Sequence, residues 1–584
     1  MIAKETRPLR GRSLSNTRFA VALLATTALG GTLAYAEEIT FFAPGHLLLS
    51  RSVYNSPADI LTPGVTQLPP GCTPGNCVTA TADGTYPTVF NNVLVDASFG
   101  VTAPILIDEM LIIPSGDVVQ TVQVPNSSEK GVKTSTDQMV TSFSSKSEIA
   151  LNLSLDRNSV SFMGYLAPVN TIDVSNSNTP DVIDPTNPVP GTDFRVVASV
   201  DQFGQFHFTK TNAYSGNNGR AAILNNANGA NVYYTTGNAG NGGNPQPNGV
   251  IVGGGAQIIT PSKLPLAQQP DPGQPTPVGS FNITELPANK KTDKIGKDTN
   301  FRGLTVFNNV IYMTKGSGSN GVNTVYFIDT SGSVNGAPAA CPTGTGVPSP
   351  SATLPTTPIA FNAANLSTLG VTPYNMCVLS GFPTSLAKAT TPAPAFPFGV
   401  FFANATTVYV TDEGNGDTTF NGSTFTGAAA QTTAGLQKWV LNTTTNTWAL
   451  AYTLQAGLNL GVPYTVKGYP TGNNAATGLP WSPATDGLRN ITGKVNGDGT
   501  VDIYAITSTV SGSGDQGADP NKLVVIKDKL KATTLPANES FSTVRTAKSG
   551  EVLRGVSFTP GTGLSPGQEI SSLLCDFGLC PPQH

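Results

Sequence analysis

The chain has 584 residues with 32 basic and 36 acidic side chains, giving a formal net charge of −4; only 12% of residues are charged, while Gly, Thr, Asn, Ser and Pro abound. A mildly acidic chain of this kind disfavours nucleic acid or an anionic membrane surface as its partner. Its sparse charge can accompany disorder, but regular Val/Ile/Phe/Tyr segments interrupt the polar tracts, which predicts strands joined by long polar loops.

The N-terminus, "MIAKETRPLRGRSLSNTR", carries Lys4, Arg7, Arg10, Arg12 and Arg18 against Glu5; the apolar run "FAVALLATTALGGTLA" and the small residues Ala34 and Ala36 follow. This pattern predicts a secretory signal peptide over residues 1–36, cut after Ala36, and a soluble product in the periplasm or outside the cell. No arginine pair is present, which favours general export over the twin-arginine route. The leader holds five of the basic residues and one of the acids, so residues 37–584 carry a net charge near −8. No later run approaches the ~20 apolar residues of a membrane span.

Three strands are expected next: "HLLLSRSV", "PILIDEMLI" and "VVQTVQV". Beyond them one phrase recurs: "GRAAILNN" from Gly219, "FRGLTVFNN" from Phe301, "PFGVFFANA" from Pro397, "LRNITGKVNG" from Leu488 and "LRGVSFTPG" from Leu553, with "QMVTSFSS" from Gln138 as a weaker first copy. An aromatic strand follows most copies, as in "NVYYTTGN", "VIYMTKGS", "TVYVTDEG" and "VDIYAITS". Copies start roughly 65–95 residues apart, so each unit amounts to about four antiparallel strands plus inserts, as in a propeller blade. The last copy lacks outer strands, and the three N-terminal strands lack an inner one. Combining them completes a blade and closes the ring without a free sheet edge. The expected fold is an all-β propeller of six four-stranded blades, or seven if an insert hides one, as a single domain over residues 37–584. Pro/Gly/Thr/Asn-rich insertions are expected at about 55–102, 172–192, 238–280 and 331–395.

The segments "PILIDEMLIIPSGDVVQTVQVP", "FRGLTVFNNVIYM", "PFGVFFANATTVYVTDEG…GLQKWVL", "LRNITGKV…VDIYAITS" and "LRGVSFTPG" resemble a family of exported bacterial β-propeller proteins, WD40- or NHL-like in architecture without those signature motifs. The resemblance covers most of residues 37–584 outside the inserts. It implies the propeller fold and names no reaction.

Six cysteines form three near pairs, Cys72 with Cys77, Cys341 with Cys377 and Cys575 with Cys580. An even count in an exported chain predicts disulfides. His46, His207 and His584 show no metal-ligand spacing with them, and neither metal nor cofactor is expected. "KVNGDGTVD" from Lys494 offers either a calcium loop or a hairpin turn. Lys494 occupies the first ligand position, where calcium requires an acid, and no closing Glu follows, so the reading is a hairpin.

Arg220, Arg302, Arg489 and Arg554 share one position of the repeat and should gather at one mouth of the central channel. Four guanidiniums there could hold a carboxylate, sulfate or phosphate, or could tie blade to blade. Asp412 and Glu413 end a strand on the same face; adjacent strand residues diverge, so salt bridges to the arginines are expected ahead of a catalytic pair. Trp481 offers a stacking face for a sugar. No nucleophile elbow, zinc helix, phosphate loop or haem motif is present. The leading expectation is a non-enzymatic binding or cell-surface protein for a small anion, a carbohydrate or an anionic polymer at the arginine mouth. The alternative is a hydrolase or lyase acting on an anionic polysaccharide or small ester.

Overall fold

Runs such as "VIYMTK" and "TVYVTD" contain no solvent-facing alternation, and the reason is their position: every residue of Val310–Lys315 and Thr407–Asp412 is buried. Each is the second strand of a blade that has neighbouring blades packed on both its faces, so both sets of alternate side chains need cover. At the rim the pattern changes. Val118–Gln123 and Thr447–Leu454, fourth strands of their blades, expose many of their residues.

The computed structural model describes residues 40–563, except 76, 82–85, 91–99, 113–114, 128–137, 144, 146, 184–186, 188, 239–254, 263–299, 318–320, 329–344, 357–375, 388, 390–393 and 514–516. The described residues form six antiparallel blades around a channel. Blade 1 takes Glu551–Phe558 as its inner strand, followed outward by Leu47–Val53, Ile105–Met110 and Val118–Gln123. Blade 2 runs Asn152–Leu153, Ser159–Tyr165, Arg195–Asp201 and Phe206–Thr211. Blade 3 is described by three strands, Gly219–Asn225, Val232–Gly237 and Gly255–Ile259. Blade 4 comprises Phe301–Phe307, Val310–Lys315, Thr324–Ile328 and Met376–Leu379, with the short Thr345–Gly346 parallel to its edge. Blade 5 has Pro397–Asn404, Thr407–Asp412, Gly435–Asn442 and Thr447–Leu454, and blade 6 has Ala484–Val495, Thr500–Val510, Lys522–Lys529 and Ser542–Thr546.

Ring closure follows the complementary deficits of the two ends. Leu47 pairs with Phe558 and Val53 with Glu551, antiparallel, with one bulge at Ser50/Arg51. All eight residues of Glu551–Phe558 are buried. Leu553, Val556 and Phe558 join Leu47, Leu49 and Met110 in one apolar cluster that also takes Tyr504 and Ile506 from blade 6.

The first repeat lies elsewhere than "QMVTSFSS" suggested. Thr141–Ser142 pairs with Thr102–Ala103 in a small separate sheet, and the inner strand of blade 2 is Asn152–Leu153. The N-G-D-G segment is a hairpin: Val495 pairs with Val501, the Asn496 amide donates to the Thr500 carbonyl, and Gly499 turns at a φ of +82°. The Asp498 carboxylate accepts from the Thr500 amide and hydroxyl at 3.0 and 2.6 Å, so the turn itself uses it.

Cys72 and Cys77 form a disulfide, and Cys377 is also disulfide-bonded. The predicted leader, Cys341, Cys575 and Cys580 lie outside the described residues, as do most of 238–280 and much of 331–395. The described part of 55–102 contributes Leu61, Leu68, Ala80 and Phe90 to a cluster with Tyr54, Phe143 and the blade 1 residue Val552.

One inter-blade device recurs. Ser50, Thr314 and Thr411 occupy equivalent second-strand positions, and each hydroxyl accepts the inner-strand amide of its own blade, from Gly555, Gly303 and Gly399 respectively. The same hydroxyls donate across the ring to the carbonyls of Ile149, Phe398 and Arg489 in the next blade. This works because the inner strands nearly touch. A β-carbon on Gly303 would lie 2.1 Å from the Phe398 carbonyl oxygen, and one on Gly555 would lie 2.4 Å from that of Ile149. Thr411→Val keeps the shape but strands a buried amide and a buried carbonyl; we expect about 2–4 kcal/mol of destabilisation, read from the urea midpoint at constant m-value.

Candidate functional site

The close approach of the inner strands also shapes the arginine positions. Each of the four arginines sits where the pairing register slips: between Gly219 and Ala221, Phe301 and Leu304, Leu488 and Ile491, and opposite the Ser50/Arg51 break. A bulge re-aims the side chain out of the ladder. The hydroxyl contacts to Ile149 and Phe398 mark the equivalent positions in blades 2 and 5, so the two uncharged members of the ring are apolar.

A cavity of about 310 Å³ occupies the channel and is lined from the residue after five of the six ring positions, Ala150, Ala221, Gly303, Gly399 and Asn490, to Phe558 and Arg157. Most of its lining residues are small or apolar, and Arg157 is the one charged side chain among them. The charged chemistry is therefore concentrated in the layer at the start of the inner strands.

Within that layer Arg489 Nε donates to Glu413 Oε2 at 3.0 Å, and Arg302 Nη1 lies 4.0 Å from Glu413 Oε1. Arg302 also donates to the hydroxyls of Ser147 and Ser317, and its guanidinium lies 5.3 Å from the Phe398 ring centroid. Arg220 donates to Asn300 Oδ1 and to the Phe301 carbonyl, and no carboxylate pairs with it among the described residues. Burial, then the neighbouring Arg302, lowers the Arg220 pKa to about 9, against the opposing pull of Tyr165, Glu148 and Glu413. Burial likewise lowers Arg302, with Glu413 opposing and Arg489 adding to the effect. The Nε atoms of Arg220 and Arg302 are buried without a hydrogen-bond partner. Three like charges from blades 3, 4 and 6 thus face two carboxylates, Glu413, which lies against Arg489 and Arg302, and Glu148, whose charge acts on Arg220.

Arg554 stands apart from this group. Its Nη2 donates to the carbonyls of Phe143 and Gly517, at 3.1 Å for the latter, so it ties blade 1 to its covering loops. All four arginines are buried, between 2% and 6% exposed.

Asp412 departs from its expected role. Its carboxylate accepts from the Phe396 amide at 2.8 Å and the Gly414 amide at 3.0 Å and ion-pairs with no arginine among the described residues, because the strand alternation sends it away from Glu413. Asp486 similarly accepts from the Gly416 amide at 2.9 Å and from Gln431 Nε2 at 2.5 Å. Trp481 is 4% exposed, so its ring offers no open stacking face. Asp108 is taken by Arg51 and Arg545, and Glu109 by His46 and Gln120.

The layer contains one group that sequence reasoning missed. Glu148, fully buried, accepts from Thr141 Oγ1, the Ser142 amide, Asn218 Nδ2 and Tyr165 Oη. Its signal was the alternation in "SEIALNL", which begins the true inner strand of blade 2.

Burial raises Asp412 to about 6 and Asp486 to about 7, partly offset by their backbone and side-chain donors, with Glu413 adding to both shifts. Unfolded, both ionise near the ordinary aspartate value of about 3.9. Their contribution to stability is therefore complete below about pH 4 and is lost as pH rises through about 6 and 7. The depressed Asp108 has the opposite sign and loses its contribution as pH falls. We expect the thermal midpoint to peak near about pH 5 and to decline towards pH 8. Asp486→Asn, which cannot ionise, should make that decline shallower in a calorimetric pH series.

Among the described residues no group of three or more His, Cys, Asp or Glu is placed to hold a metal, and no helix is long and apolar enough to cross a membrane. No protein-family model and no curated protein matches the chain. Among solved structures it is similar to a thermostable family-43 glycoside hydrolase, at 13% identity over 68% of this chain and 96% of that one, with a TM-score of 0.27. The propeller assignment rests on the strand pairing described above.

Proposed function

We propose that this chain is an exported binding protein, of the propeller family its sequence resembles, that takes a compact anionic group into the layer formed by Arg220, Arg302 and Arg489. The observation that carries this reading is the incompletely paired guanidinium: Arg220 ion-pairs with no described carboxylate, lies in the repulsive field of Arg302 that Glu148 and Glu413 only oppose from a distance, and keeps a buried Nε unused. An entering carboxylate, sulfate or phosphate would accept hydrogen bonds from guanidiniums already fixed in place. The small exposure of the layer argues for a small ion or the terminal group of a chain rather than for a polymer laid across the face. Export rests on the basic-apolar leader and agrees with the Cys72–Cys77 disulfide.

A thermal-shift screen of inorganic sulfate, phosphate, short carboxylates and neutral or acidic oligosaccharides on the mature protein tests this reading. Compact anions should raise the midpoint in a saturable way, and Arg220→Gln should abolish the response. A response to neutral sugars alone, or equal responses in the variant, contradicts it. The hydrolytic alternative draws on Asp486, whose raised pKa keeps a proton available near neutrality beside Glu413. Turnover of an acidic oligosaccharide lost in both Asp486→Asn and Glu413→Gln would favour that alternative.

A further inference from the structure

Between blades 5 and 6, away from the channel, lies a cluster that the proposed function does not use. Lys438, on Gly435–Asn442, and Asp528, on Lys522–Lys529, are wholly buried, and Lys438 Nζ sits 2.9 Å from Asp528 Oδ2. The ammonium also donates to the Lys529 carbonyl at 2.6 Å and to Tyr452 Oη at 2.9 Å, and it lies 5.6 and 5.1 Å from the ring centroids of Tyr409 and Tyr452. Tyr409 donates to Asp528 Oδ2 and Tyr452 to Oδ1, the latter at 2.7 Å. Glu539, on the loop that follows, accepts the Lys529 amide at 3.2 Å, keeps its other carboxyl oxygen buried without a hydrogen-bond partner, and lies close enough to Asp528 for that charge to add to burial in raising its pKa.

We propose that Lys438 and Asp528 condense into an intramolecular amide that welds blade 5 to blade 6, with Glu539 as the proton-transfer group. A buried ion pair retains only part of the solvation it gives up, whereas a neutral amide in the same place carries no charge to desolvate. The geometry removes the entropic barrier that keeps amines and carboxylates apart in water, because the nitrogen is held against the carboxyl.

The step balances without any outside reagent. Glu539 passes its proton to Asp528, giving a neutral carboxylic acid, and its own carboxylate then takes a proton from the Lys438 ammonium. The nitrogen lone pair attacks Cγ of Asp528, forming the C–N bond. The oxygen of the tetrahedral intermediate is held by the Tyr409 and Tyr452 hydroxyls, which already point at both carboxyl oxygens. The second nitrogen proton moves to the departing hydroxyl, the C–O bond breaks and water leaves. Glu539 ends as it began. Burial, followed by the adjacent Asp528, raises the Glu539 pKa to about 7, so a proton is present in the carboxyl pair at neutral pH.

Lys438 alone cannot serve as a clean control, since its removal leaves Asp528 buried and unpaired. Glu539→Gln retains the amide contact to Lys529 and the ion pair, and it lacks only the transferable proton. The test is the mass of the folded, full-length secreted protein under reducing conditions, followed by a protease map. The wild-type chain should be lighter than its linear sequence by one water and should yield a branched peptide joining Lys438 to Asp528. Glu539→Gln should fold and give the linear mass. A folded wild-type chain of linear mass, with Lys438 recovered as a free amine after denaturation, overturns the proposal. Equal linkage in wild type and Glu539→Gln overturns the role given to Glu539.

Discussion

Removal of the C-terminal inner strand by truncation after Gly550 should abolish cooperative folding. The strand supplies Leu553, Val556 and Phe558 to the cluster that joins the first and last blades, and each is buried. Deleting a buried large side chain costs about 2–5 kcal/mol, so three of them approach the whole stability of a domain, about 5–15 kcal/mol. The loss extends further than packing. Leu47–Val53 would become a long apolar edge strand, and Arg51 would lose the Glu551 carboxylate 2.8 Å away. The expected measurement is a broad, probe-dependent thermal transition with early aggregation, where the intact chain gives one sharp transition. A truncated chain that unfolds as one sharp transition at the intact midpoint would remove the ring closure from the account.

Arg489→Ala carries the next largest expected effect, about 3–5 kcal/mol, because it leaves a charged partner buried. Glu413 is 8% exposed and would lose its nearer guanidinium, with Arg302 4.0 Å away, while Gln in place of Glu413 strands the buried Arg489 cation in turn and should cost a comparable amount. Arg489→Lys should recover little of the loss, since a point ammonium does not reproduce the Nε donor at 3.0 Å. Urea denaturation of the three variants orders these costs. Equal stability of wild type and Arg489→Ala would mean that Glu413 is protonated or solvated.

How much of this could be read from the chain follows from how local each signal is. The phrase shared by "FRGLTVFNN", "LRNITGKVNG" and "LRGVSFTPG" survives because each inner strand meets the same neighbours on both sides, so register and arginine position transfer from blade to blade. Closure was legible for a similar reason: three strands without an inner partner and one inner strand without outer ones fit only each other. Blade 2 was misplaced because its inner strand pairs over just Asn152–Leu153 and carries Ile149, at a φ of +52°, where four other blades carry arginine. Glu148 was lost with that strand. Asp412 and Trp481 were misjudged for another reason. A sequence shows that a carboxylate or an indole lies near a mouth, but whether it faces a ligand, a backbone amide or the core depends on long-range packing. The bonds of Asp412 to the Phe396 and Gly414 amides, and those of the hydroxyl staples, belong to that class.

The lysine–aspartate cluster shows the same limit. Nothing in "LQKWVL" or "KLVVIKD" announces that residues 90 positions apart share a buried contact. Only the stacking of blade 5 on blade 6 brings them together.

The central claim is that Arg220, Arg302 and Arg489 form a layer one anion short of balance. Calorimetric titration of sulfate into the mature protein at low ionic strength, beside an Arg220→Gln variant with unchanged circular dichroism, tests it most directly. The account predicts one sulfate per chain and a loss of affinity of at least about tenfold in the variant, equivalent to about 1.4 kcal/mol. Equal affinity in the two proteins, or no heat of binding in either, would contradict it.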